Sequence, residues 1–217
     1  TSYYTAIPLL KNLSSEPQVV STGYYNQPVR TVNIKAPYIQ LSGAYNSDAG
    51  GRFEAIASRA NSILNIHANH LDIVGTFGLA NFASANLNSS GDIRFVNNYK
   101  QGVNSKDRLG GVLYSAGDIN FNAAQLYPAT ATDFMVIANS QGIADAAGDT
   151  QTKITIGRFK GSQNKPVLSA GGSLQFDADQ IDQSGVIKAP LGEIVLGVTQ
   201  PQEQLTQRAW NNLPLTA

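Results

Sequence analysis

A chain of 217 residues is long enough to bury a sizeable core, and its 15 basic and 15 acidic side chains cancel, so no net field draws it to nucleic acid or an anionic membrane. It contains no cysteine, which excludes disulfides and thiolate catalysis. Charged residues are only 14% of the chain, against an average of about 25%. Neutral polar groups must therefore cover the surface, which suits sheets with ladder-forming faces better than a charged helical bundle. No apolar segment approaches the roughly 18 residues needed to cross a bilayer. The opening "TSYYTAIPLLKNLSS" lacks the basic region and apolar core of a signal peptide. Nucleic-acid binding and membrane insertion are therefore not expected.

Residues 1–30 show no repeat and read as an irregular segment or cap. Their paired tyrosines, Tyr3–Tyr4 and Tyr24–Tyr25, are read as covering an apolar edge in preference to stacking on sugars. A repeat then begins. Two alternating apolar residues lead to an alanine, and another apolar residue follows three places later. Its members are "VNIKAPYI" (Val32 to Ile39), "LNIHANHL" (Leu64 to Leu71), "INFNAAQL" (Ile119 to Leu126) and "LQFDADQI" (Leu174 to Ile181), starting 32, 55 and 55 residues apart. Alternation of period two predicts half-buried strands, and the alanine predicts a crowded corner before a second short strand.

A second pattern sets glycine and a small or acidic residue ahead of a strand: "GDIRF" at Gly91, "GDINF" at Gly117, "GSLQF" at Gly172 and "GEIVL" at Gly192. The last two are 20 residues apart, which sets the coil length. No such unit buries its apolar face alone, so units must stack with equivalent residues above one another. This predicts an all-β parallel β-helix over 31–198. Eight or nine coils of about 20 residues would make a rod roughly 40 Å long, at about 4.8 Å per coil.

Three stretches read as insertions: Ser42 to Asn61, Asn97 to Gly111 and Asn139 to Lys153. They are expected to emerge on one face, where any binding would occur. Residues 199–217 form a C-terminal cap or linker, in which Leu205, Ala209 and Leu213 behind Pro201 predict a short amphipathic helix.

Few residues carry chemistry. His67 and His70 form an HxxH, but on strands through a corner they need not share a face, and no third ligand lies nearby. Asp177, Asp179 and Asp182 are the densest carboxylates and the sharpest enzymatic candidates, as a calcium or acid–base site on an acidic polysaccharide. Against that, Asp177 and Asp179 flank an inward Ala178 and are expected to face solvent, with no Arg or Lys close by. Asp92, Asp118 and Glu193 are read as accepting bonds from turn amides. The sequons at Asn12 and Asn88 carry little meaning by themselves. P-loop, GxSxG and dinucleotide fingerprints are absent. No catalytic, cofactor-binding or metal residue is assigned.

The phrases "SAGDINFNAAQL" and "SAGGSLQFDADQIDQSGVIKAPLGEIVLG" resemble the shafts of filamentous haemagglutinin-type exoproteins, the large partners of bacterial two-partner secretion systems. The resemblance covers Val32 to Val198. It implies a right-handed parallel β-helix within a longer secreted or surface-exposed polypeptide. It also implies export through an outer-membrane transporter, a structural or adhesive role without catalysis, and a surface receptor or glycan as partner. The long insertions depart from that family's regular shaft. The alternatives are a polysaccharide lyase or hydrolase acting on acidic glycans, and a non-catalytic glycan-binding module.

Overall fold

Each repeated phrase of the sequence forms strands. The structure, a computed structural model, describes residues 30–42, 61–97, 109–140, 142–145 and 148–197. Among these are fifteen strands and no helix, and every strand pairing is parallel.

The chain visits three sheets, A, B and C, in a fixed order, and each circuit is one rung. The first rung places β1 (Thr31–Lys35) in sheet A and β2 (Tyr38–Ser42) in sheet B. The second runs through β3 (Ser62–Ala68), β4 (His70–Val74) and β5 (Thr76–Leu79) in A, B and C. The third repeats this with β6 (Phe82–Ser89), β7 (Asp92–Val96) and β8 (Leu109–Ser115), and the fourth with β9 (Asp118–Ala123), β10 (Gln125–Pro128) and β11 (Thr132–Ala138). The fifth rung has β12 (Lys153–Arg158) in A and β13 (Ser173–Asp177) in C, and the sixth has β14 (Gln180–Gln183) in A and β15 (Glu193–Leu196) in C.

The fifth rung contributes no strand to sheet B. Residues 159–172 leave the sheet there, and the sixth rung drops into the gap. Ile187 bridges directly to Leu126 of the fourth rung, with Leu126 N–H donating to Val186 O (2.8 Å) and Lys188 N–H to Leu126 O (2.9 Å).

Inward residues stack in columns. In sheet A one column runs Val32, Leu64, Ala85, Ile119, Ile154, Ile181 and the next Ile34, Ile66, Leu87, Phe121, Ile156. Ile66, Leu87, Ile119, Ile154 and Ile156 are fully buried. Sheets B and C close the same core. Phe95 of sheet B lies among Phe121 of sheet A and Phe134 and Phe176 of sheet C, with ring centroids 5.0–6.2 Å apart. At the two ends of the stack the columns surface: Val32, Ile34 and Ile194 are about two-fifths exposed and Leu196 nearly half.

Outward residues stack as well. Asn33, Asn65, Asn86 and Asn120 occupy equivalent positions in sheet A. Each amide donates to the one before it: Asn65 Nδ2 to Asn33 Oδ1 (2.9 Å), Asn86 to Asn65 (2.8 Å) and Asn120 to Asn86 (2.9 Å). Asn122 donates to Asn88 (3.3 Å) in the adjacent column. Neutral groups suit such stacking because like charges at this spacing repel.

The corner glycines are explained by close approach and not by an unusual backbone angle. A Cβ at Gly91 would land on the carbonyl oxygen of Asn69, and one at Gly117 on those of Phe82 and Ala83. A side chain at either corner would hold adjacent rungs apart.

Four sequence expectations are corrected. Among the described residues the stack has six levels and not eight or nine coils, so sheet A spans about 24 Å at about 4.8 Å per step. Rung length varies: the 32-residue spacing is one rung and the 55-residue spacing from Leu64 to Ile119 is two, β9 and β12 pair 35 residues apart and β11 and β13 pair 40 apart, whereas β13 and β15 keep the 20-residue step. Second, the phrases do not share one corner. "VNIKAPYI", "LNIHANHL" and "INFNAAQL" bend from sheet A to sheet B, whereas "LQFDADQI" bends from C to A.

Third, the insertion ending at Gly111 is shorter than read, because Leu109 to Gly111 already belong to β8 in sheet C. Fourth, the excursions do not share one face. They follow strands of sheet B (β2, β7), of sheet C (β11) and of sheet A (β12). The N-terminal cap with its tyrosine pairs, the C-terminal helix and the interiors of the first two insertions lie outside the described residues.

Candidate functional site

The densest polar chemistry lies on the outer face of sheet B. Two columns run across it: Tyr38, His70, Asp92, Gln125 and, beside them, Gln40, Asp72, Arg94, Tyr127. These positions alternate with the buried Ile39, Leu71, Ile93 and Leu126, so the pleat that seals the core also aligns the polar groups outside.

Asp72 is the centre. It is 4% exposed although it points away from the core. Arg94 grips it with two bonds, Nε to Oδ1 (3.0 Å) and Nη2 to Oδ2 (2.7 Å). Tyr38 donates its hydroxyl to Oδ2 at 2.9 Å, and His70 Nε2 lies 3.0 Å from Oδ1. Burial alone would push the Asp72 carboxyl up, but the bonds from Arg94 and Tyr38 outweigh it and hold the group below the usual carboxylate range. The bond to Asp72 likewise raises the Tyr38 hydroxyl and the Arg94 guanidinium above their ordinary values. Tyr127 is raised by burial and then by Asp92.

With both oxygens engaged, Asp72 is ill suited to take a proton from a substrate. What the cluster offers outward is a platform. The Tyr38 and His70 rings are stacked, with centroids 6.1 Å apart and planes within 10°. Arg94 stands next to them, its side chain 41% exposed. Fixed planar groups of this kind present contact area at little entropic cost. One margin of the face is closed by the 159–172 excursion: Gln125 Nε2 donates to Asp92 Oδ2 (3.2 Å) and to Lys165 O (3.1 Å), and Lys188 Nζ donates to the same Lys165 carbonyl (3.3 Å).

The carboxylates singled out in the sequence do not converge. Asp177 is 3% exposed on the outer face of sheet C, opposite Ile137, and not solvent-facing as expected. Burial and then Asp179 push its carboxyl up, and its Oδ1 has no hydrogen-bond partner. Asp179 sits at the next corner and accepts from Thr152 N–H (2.8 Å) and Thr152 Oγ1–H (3.0 Å). Asp182 belongs to the outer face of sheet A, where Lys153 Nζ lies 3.4 Å away. A lysine is thus close after all. The parallel pairing of β12 with β14 brings it from 29 residues earlier in the chain.

His67 and His70 point from different sheets, A and B, so the HxxH is not a ligand pair. Among the described residues no group of three or more His, Cys, Asp or Glu is placed to hold a metal. Asp118 accepts from the main-chain N–H of Lys153 on the next rung (2.9 Å), and Asp92 accepts from the Gln125 side chain. Both bonds tie adjacent rungs together.

Sequence reasoning missed Tyr38, Asp72 and Arg94. Asp72 and Arg94 are 22 residues apart, one rung, and only the register β4 to β7 brings them side by side. No family model matches the chain, and no curated protein or solved structure is significantly similar to it. Among the described residues no helix is long and apolar enough to cross a membrane.

Proposed function

We propose that this chain is a segment of right-handed parallel β-helix from a filamentous haemagglutinin-like exoprotein. It would be displayed on the bacterial surface or secreted through an outer-membrane transporter, and serve a structural or adhesive role without catalysis. The observation that carries this reading is the in-register column Val32, Leu64, Ala85, Ile119, Ile154, Ile181, one residue per rung across six rungs of sheet A. Such stacking makes each rung depend only on its neighbours and gives reach and stiffness from short units. The neutral amide ladder and the fully engaged Asp72 favour a contact surface over a reaction centre. The dispersal of Asp177, Asp179 and Asp182 over three surroundings weighs against the polysaccharide-degrading alternative.

The test is surface display. Antibodies raised against residues 31–197 should label intact cells of the producing organism or recover the protein from its medium. Labelling confined to lysed cells would refute the proposal.

A further inference from the structure

A groove of about 960 Å³ runs along the outer side of the corner between sheets A and B, with His67 of the HxxH among its lining residues. Three consecutive rungs present Lys35, His67 and Asn88 into it at matched register positions, spaced by about 4.8 Å. Asn33 joins them from the first rung. Phe159, on the segment leaving the fifth rung, supplies a half-buried aromatic ring. Lys35 and His67 are exposed. Among the described residues that line the groove there is no carboxylate.

These groups select a ligand by chemistry. Amides donate and accept at once, as the hydroxyls of a sugar do. The oxygen of Asn33 accepts from Asn65, and among the described residues none accepts from its N–H groups. The face of an aromatic ring takes the C–H face of a pyranose, and an ammonium with no acidic neighbour in the groove favours an anionic substituent. A nucleic acid would ask for a row of cations, and Lys35 is the lone lysine or arginine among the described lining residues. An extended peptide would seek a sheet edge, whereas this groove crosses rungs over side chains.

We propose that the groove binds a carboxylated oligosaccharide lying along the stack, with Lys35 meeting a carboxylate, Asn33 bonding to ring hydroxyls, and Phe159 stacking on a sugar ring. The proposal deepens the adhesive reading by naming a ligand class, but it rests on the rungs alone. Its failure would leave surface display, tested by antibody labelling, untouched.

Calorimetric titration of the full chain decides it. The panel comprises galacturonate, mannuronate and hyaluronan tetramers and sialyl-lactose, each beside its carboxyl-reduced counterpart, with a single-stranded DNA 12-mer as a polyanion control. At least one acidic sugar should bind, with its reduced form at least tenfold weaker. Phe159→Ala and Lys35→Ala should each lower that affinity about tenfold with an unchanged circular dichroism spectrum. Lys153→Ala, on the same sheet face but outside the groove, should leave it unaltered. No binding by any panel member up to millimolar concentration would overturn the proposal, as would equal affinity for acidic and reduced forms, equal affinity for the DNA, or insensitivity to both groove substitutions.

Discussion

Phe95→Ala tests whether the three sheets share one core. The ring is fully buried and touches rings from both other sheets, with centroids 5.0 Å from Phe134, 5.9 Å from Phe121 and 6.2 Å from Phe176. Truncating a buried phenylalanine costs about 3–5 kcal/mol, because the transfer energy is lost and the neighbours relax only partly into the cavity. Here the neighbours are themselves rings pinned by the two other sheets. The loss of three aromatic pairs at about 0.5 kcal/mol or more each therefore places the effect at the upper end, about 5 kcal/mol. A typical domain has only about 5–15 kcal/mol in total, so the variant should be marginal or unfolded at 25 °C. Urea titration followed by circular dichroism and tyrosine fluorescence reads the loss. Val32→Ala, at a position 41% exposed at the end of the stack, is the control and should cost less than about 1 kcal/mol. A loss at Phe95 under about 2 kcal/mol, or one no larger than at Val32, would refute the shared core.

Three further outcomes follow from the structure. Asp72→Asn should lose about 1.5–3 kcal/mol at pH 7, the value of bonds to a charged group. Because the folded carboxyl is held below its usual value, that contribution is complete above about pH 4, the unfolded value. It disappears as pH falls through the lower folded value, so urea midpoints of variant and parent should converge in acid. Asp177→Asn should act with the opposite sign. Its carboxyl is raised by burial, so the ionised group costs stability at neutral pH, and the variant should gain about 1 kcal/mol there. The gain should fade below about pH 4, where the parent is protonated in both states. Gly117→Ala drives a methyl into the carbonyl oxygens of Phe82 and Ala83 and should cost about 1–3 kcal/mol by overpacking. Gly157→Ala, whose Cβ would sit 3.7 Å from the nearest atom, should change the melting temperature little.

Strand identity was legible because burial follows period two. Phe121, Leu126, Ile119 and Leu174 lie in the core where alternation puts them. The corner alanines Ala68, Ala123 and Ala178 also join that core, since a larger group does not fit where two sheets meet. What the sequence hid was position. "GDINFNAAQL" and "GSLQFDADQI" share a strand, a bend and a strand, yet they lie at different corners. All the corners ask for the same local chemistry, a small residue against the rung below, so a local phrase records a bend without saying which one. Rung length was hidden for a related reason. An excursion such as 159–172 carries turn residues like any loop, and nothing local says that it stands in for the sheet B strand of its rung. The Asp72 cluster was illegible because its members gain meaning only from register. Tyr38, Asp72 and Arg94 lie 34 and 22 residues apart, and each alone reads as an ordinary polar strand residue.

The asparagine column of sheet A has a direction. All three of its bonds run from the later residue to the earlier, so the amide dipoles add head to tail along the stack and polarise one another. One terminus of this array, at Asn33, therefore offers hydrogens, and the other, at Asn120, offers oxygen. Any polypeptide turn laid beneath Asn33 would have to bring an acceptor to continue the series. At Asn120 the column is continued within the same molecule by Thr155 and Asp182 of the fifth and sixth rungs, so only the Asn33 end is left for another chain, and two molecules joined through their Asn33 ends would set donor against donor.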